Sequence, residues 1–205
     1  VNLDPHATPL ADHLGPVAPQ IAGYRMEQMH RTHWVTLEGD WNWKCVQDNF
    51  NESYHLPFVH PQTRFVMEQS YKDCQFDLYA PEGHARMFMP GSRPARSLRG
   101  HTDTVLEMMA QELTYWGLDP EDFRDDPLRT REALQQAKRE RGADKGYDFS
   151  HFHDAQLTDH FHYTIFPNIS FSLKPDGCIW LRADPHPTDP ERCYFDMWYF
   201  TWFPV

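Results

Sequence analysis

The chain is poor in cysteine and has no long apolar run. Its four cysteines, Cys45, Cys74, Cys178 and Cys193, are scattered through 205 residues. That usage does not make a disulfide scaffold. Cys178 and Cys193 fall in apolar runs and read as buried thiols, and a reducing cytoplasm is the simplest setting. No stretch of 18 or more apolar residues occurs, so no membrane-spanning helix is expected. No charged-then-apolar leader opens the sequence. An excess of positive charge is also missing, because the formal net charge is −11. This argues against nucleic acid and anionic membrane surfaces as partners. No internal repeat is visible.

What is present is enough apolar surface for a core. Hydrophobic residues make up 40% and aromatics 15%, so the chain is globular rather than disordered. Its length fits one large domain. Residues 1–23, rich in Pro, His and Ala, read as an irregular lead-in or interdomain connection, and 24–205 as the domain proper.

Alternation predicts strands over Thr32–Glu38, Tyr71–Tyr79 and His84–Met89. Gly91–Gly100 reads as basic and irregular. Helices are predicted over Thr102–Trp116, with Val105, Met108, Met109 and Leu113 on one face, and over Pro127–Arg141. Gly117 is the expected C′ residue of the first. The charges of the second read as ordinary solvation. From His160 the period switches to two, and four strands are expected: His160–Phe166, Ile169–Leu173, Cys178–Ala183 and Cys193–Phe203. Short turns between them, such as Pro175-Asp176-Gly177, imply an antiparallel meander. The fold is then α+β, an antiparallel sheet packed with helices.

The chemistry concentrates in Asp48-Asn49-Phe50-Asn51-Glu52-Ser53-Tyr54-His55-Leu56-Pro57-Phe58-Val59-His60-Pro61. Two histidines stand five apart, with a carboxylate three before the first. In an uninterrupted helix they would be rotated by about 140° and could not share an ion. Pro57 disfavours the α conformation at Leu56 and removes a backbone donor. A helix capped by Asp40 and running from about Trp41 should therefore end near His55, and the chain can turn so that His60 points back. Asn49, Glu52 and His55 then form one polar stripe, at spacings of three.

Asn42-Trp43-Lys44, followed by Asp48-Asn49, Glu52, Tyr54-His55 and His60-Pro61, resembles the catalytic domain of Rieske-type non-haem iron oxygenases, the α subunits of aromatic-ring hydroxylases. A weaker likeness extends to Phe166-Pro167-Asn168 and the strands after it. The resemblance implies a curved, helix-gripping antiparallel sheet around a substrate cavity. It implies that His55 and His60 are ligands of a mononuclear Fe(II) with open positions for O2. Glu52 would be the acidic residue bridging the iron to a Rieske [2Fe–2S] cluster on a neighbouring subunit, placed to accept the second ring N–H of His55. Asn49 would be an amide close to the iron, and Tyr54 a packing residue that orients His55. Electrons would come from NAD(P)H through a reductase, with or without a ferredoxin. The assembly would be a homotrimer or α3β3.

Two family parts are missing. The cluster needs C-x-H and C-x2-H pairs, and none of the four cysteines sits in one. The cluster is expected on a part of the protein outside this chain. The carboxylate ligand of the iron is expected beyond Val205, since no motif supports Asp184, Asp189 or Asp196.

Other readings stay open. The same histidines with Glu52 as general base would suit a zinc-dependent hydrolase. A hydrophobic-ligand binding module without catalysis is a third. His160 and His162 share a strand face and could bind metal together, hydrogen-bond at a strand start, or line a pocket, and one of them could instead be a proton donor near the substrate. His151 and His153 add to that histidine-rich region. Met87, Phe88, Met89, Phe166, Phe171 and Trp180 would form either core or the lining of an apolar cavity suited to a small hydrophobic or aromatic substrate.

Overall fold

The computed structural model describes residues 4–98 and 100–203. Residues 1–3 of the lead-in, Arg99 and the last two residues therefore lie outside the described fold. Seven strands form one sheet: β1 His30–Gly39, β2 Gln75–Tyr79, β3 His84–Met89, β4 His160–Ile165, β5 Ile169–Lys174, β6 Gly177–Pro185 and β7 Cys193–Thr201. Their order is β1-β7-β6-β5-β4-β3-β2, with every pair antiparallel. The meander expected after His160 is present, and the sheet is curled and packed with helices, as the α+β reading requires.

The helices are α1 Leu10–Leu14, α2 Val17–Ile21, α3 Trp43–Phe50, α4 Leu56–Val59, α5 Thr102–Tyr115, α6 Thr130–Arg141 and α7 Asp154–Thr158. α1 and α2 lie within the lead-in segment, and Val17 and Tyr24 enter the core. One sheet face carries Tyr163, Phe171 and Leu173 into the main core with α5 and α6, through Val105, Leu113 and Leu134. The opposite face carries two smaller apolar clusters. Leu181, Ala183 and Phe195 pack with Val46 of α3, and Met87 and Met89 pack with Cys74, Leu56 and Met67.

Several boundaries differ from the sequence reading. The strand predicted from Tyr71 begins only at Gln75, because residues 71–73 turn and Tyr71 is exposed. The helix predicted to run from about Trp41 to near His55 stops at Phe50. Its cap is Asn42, whose side chain accepts from Lys44 N at 2.9 Å, rather than Asp40. On α5, Leu106 takes the buried position and Met108 is exposed, while Gly117 does adopt a positive φ of 74° after the helix. The charges of α6 are not all solvated. Lys138 is buried and donates to Glu112 at 2.8 Å and to Leu157 O at 2.7 Å, and Arg131 reaches inward to Asp159. Packing α6 against α7 turns part of its polar face inward, where each charge needs a partner.

Candidate metal centre

The iron-type motif does not form one helical face. α3 ends at Phe50, and Asn51 takes the cap position with φ −90°. The chain turns through residues 51–55 and then makes the single helical turn of α4, with Pro57 in its first turn. Proline is tolerated there because the first N–H groups of a helix lack intrahelical acceptors. Pro57 thus starts a helix, contrary to the expectation that it would end one. His55 caps α4 at its start and His60 at its end. His60 has left the helical region, with φ −125° and ψ 57°. The two rings meet edge to face with centroids 5.6 Å apart.

Glu52 is aimed at the first ring. One carboxylate oxygen contacts His55 Nδ1, and the other accepts His55 N–H at 3.1 Å. Both side chains are mostly shielded. A carboxylate on Nδ1 fixes the ring orientation and leaves Nε2 free for a metal. His60 is exposed, and among the described residues its aromatic-ring partner is His55. Asn49 makes no hydrogen bond to either histidine. It stands exposed on the wall of a cleft of about 280 Å³ with Trp41, Cys45, Val46, Phe50 and Phe195. Tyr54 is 76% exposed, which removes the packing role expected for it.

Two imidazoles, one with its tautomer held, fit a mononuclear metal as part of a donor set. Among the described residues no third His, Cys, Asp or Glu joins them. The three aspartates without motif support are engaged elsewhere. Asp184 pairs with Asn168 and Arg182, Asp196 with Thr36 and Arg182, and Asp189 caps its own turn. A Rieske cluster does not fit this chain. Cys74, Cys178 and Cys193 are buried, and burial pushes the Cys178 thiol up to about 11.

Beneath the motif lies a polar strip built around the histidine-rich region of the sequence. His160, His162 and Thr164 share one face of β4, with Ser170 and Ser172 beside them on β5. Phe50 stacks on His162 with centroids 5.6 Å apart, and Thr164 donates to Asn51 Oδ1 at 2.5 Å. Leu56 packs in the cluster of Met87 and Met89, which pair in register with His162 and His160. Residues 51–55 therefore arch over this strip. Met87 and Met89 face it, while Phe171 is buried in the main core on the other face, and Phe166 is over half exposed. The six apolar residues nominated for a cavity wall do not share one.

Burial, aided by the Lys174 ammonium, lowers the His160 pKa to about 4. Burial and the neighbouring His160 lower that of His162 to about 3. The unfolded chain takes up these protons near pH 6.5, whereas the fold resists them. Stability is therefore full above about pH 6.5 and declines as the pH falls toward 4, each unit of separation being worth about 1.4 kcal/mol per group. We predict that the urea midpoint drops between about pH 7 and about pH 5. His162→Asn should flatten that dependence. An unchanged slope in the variant would remove His162 from the effect.

Residues 26–202 match the family described as the ring hydroxylating alpha subunit, catalytic domain. The chain belongs to that family. Solved ring-hydroxylating and related Rieske oxygenases share its fold. A quaternary ammonium Rieske monooxygenase, CntA, in complex with an inhibitor aligns at TM-score 0.56 and 13% identity, over 98% of this chain and 38% of that one. CntA with its substrate L-carnitine aligns at 0.51 and 13%, over 100% and 38%. Naphthalene 1,2-dioxygenase with indole in its active site aligns at 0.53 and 16%, over 97% and 40%. The chain thus spans about two-fifths of the solved oxygenases it resembles. A comparison with curated protein sequences found no match. Among the described residues no helix is long and apolar enough to cross a membrane.

Proposed function

We propose that this chain is the catalytic domain of a Rieske-type oxygenase and that His55 and His60 are two ligands of its mononuclear Fe(II). One observation carries the reading. In this chain, a member of that family, the two rings meet edge to face and Glu52 occupies Nδ1 of the first. When bound, the iron supplies the O2 chemistry that hydroxylates or oxidatively demethylates a small aromatic or otherwise hydrophobic substrate. The chain's own part is to present the rings. Glu52 holds the tautomer of His55 and raises its basicity, and the α4 turn returns His60 to it. The remaining carboxylate ligand and the [2Fe–2S] cluster come from parts of the protein outside this chain. Electrons arrive from NAD(P)H through a reductase, with or without a ferredoxin, in a homotrimer or α3β3 assembly.

Glu52 carries a second role in this reading, as the bridge toward the cluster of the neighbouring subunit. Glu52→Ala in the full-length protein should bind iron about ten- to a hundredfold more weakly, because the His55 ring loses its partner. At saturating iron the mononuclear site should fill, yet reoxidation of the cluster in a single turnover should slow. Wild-type turnover with product and O2 consumption still matched would remove the bridging role.

The reading as a whole is tested by metal analysis of the full-length protein purified without air, together with O2 consumption. About one non-cluster iron per chain is expected. Stoichiometric zinc and O2-independent hydrolysis would replace it with the hydrolase reading. Absence of any tightly held metal would leave a binding module.

A further inference from the structure

The buried strip under the motif contains a continuous hydrogen-bonded path. Ser172 Oγ lies 2.9 Å from His162 Nδ1 and 3.2 Å from His160 Nε2. The two rings are nearly parallel, 10° apart, with centroids separated by 6.1 Å. His160 also forms part of the wall of a cavity of about 110 Å³, beside Glu112, Asp159 and Lys174. At the other end, His162 is 2% exposed and its Nε2 has no protein partner. That end lies against Phe50, on the strip arched over by residues 51–55.

A hydroxyl has one proton to give. With its hydroxyl proton given to one of the two rings, Ser172 accepts from the other. The two ring nitrogens that face it are then complementary, one protonated and one bare. A trio of this kind moves a proton without moving heavy atoms. Burying such a chain with one unpaired end is costly unless that end is used.

We propose that His160, Ser172 and His162 form a proton wire running from the cavity to the buried space beneath the motif segment. The proposal rests on the oxygenase reading for its purpose. Hydroxylation of a C–H bond by O2 consumes a pair of electrons, here from NAD(P)H, and a pair of protons, and releases one water besides the product. A proton enters at His160 Nδ1. The Nε2 proton of His160 passes to Ser172 Oγ as the hydroxyl proton passes to His162 Nδ1, and the proton on His162 Nε2 leaves at the far end. One proton enters and one leaves. Both rings finish in the opposite tautomer, so each passage delivers one proton before the starting tautomers must be restored. Both imidazoles are held neutral by burial, so the shifts are concerted.

The test uses Ser172→Ala and Ser172→Thr in the full-length, iron-loaded protein, with nitrogen NMR of the two rings. Ser172→Ala should keep its iron, lose roughly ten- to a hundredfold in turnover, release more peroxide per O2 and change its solvent deuterium isotope effect. Ser172→Thr, which keeps the hydroxyl, should recover most of the rate. In the wild type, His160 Nε2 and His162 Nδ1 should never carry protons together. Wild-type turnover and isotope effect in Ser172→Ala would overturn the wire, as would ring spectra with both facing nitrogens protonated. If the wild type holds no iron, the oxygenase reading fails instead. The ring spectra then decide the wire alone: complementary nitrogens keep it, and fixed protons on both remove it.

Discussion

Full-length protein carrying His60→Ala should come off purification with almost none of the non-cluster iron that the wild type holds. His60 sits at the end of α4, exposed, with its ring against that of His55. The substitution therefore takes away a donor without opening the core, and stability should stay within about 0.5 kcal/mol of the wild type. That separation matters, because loss of iron through unfolding would look the same in a metal assay. His55→Ala should also empty the site, and it additionally strands the Glu52 carboxylate. Metal analysis of both variants beside a melting curve reads the result. Stoichiometric iron in either variant would refute that residue as a ligand.

The largest loss of stability should follow Asp159→Ala, far from the histidine pair. The Asp159 side chain is fully buried just before β4. It takes Arg131 Nε at 2.7 Å and Nη2 at 2.6 Å, Gly91 N at 3.1 Å and the Thr158 hydroxyl at 2.9 Å. Removing it leaves the Arg131 guanidinium poorly solvated and Gly91 N–H without an acceptor. Breaking a buried pair from one side costs about 3–5 kcal/mol. Asp159→Asn, which keeps an acceptor but loses the charge, should fall between. Urea titration of both variants checks the order. A loss below about 1 kcal/mol for Asp159→Ala would mean that water replaces the carboxylate easily.

How much of this was legible before the structure follows from which forces are local. The last four strands could be read because alternation and turn residues sit within a few positions of each other. The His55/His60 pairing could be read because Pro57 marked a break in the helix. The type of break was misjudged, since a proline stops one helix and starts another with equal ease. The end of α3 at Phe50 was missed because nothing in residues 51–55 forbids helix. It ends there as Asn51 turns toward Thr164 and Glu52 toward His55. The burial of Lys138 and the inward turn of Arg131 were invisible for the same reason, since their partners lie 26 and 28 residues away. The polar strip under the motif depends on register between β4 and β5. Period-two patterning shows which residues share a face, but not what passes above it.

The pairing of β1 with β7 sets a schedule for the protein's manufacture. β1, the first strand of the described sheet in chain order, has its neighbour at Cys193–Thr201, so its hydrogen bonds must wait until nearly the whole described chain has been made. Contacts that distant in sequence form slowly. The α3 helix rests on Leu181, Ala183 and Phe195, so its apolar seat is complete only when β7 has been made. The histidines it leads to come early in the chain and are positioned late, and through that interval a chaperone meets an unpaired β1 carrying Trp34 and Leu37, both exposed even in the finished fold.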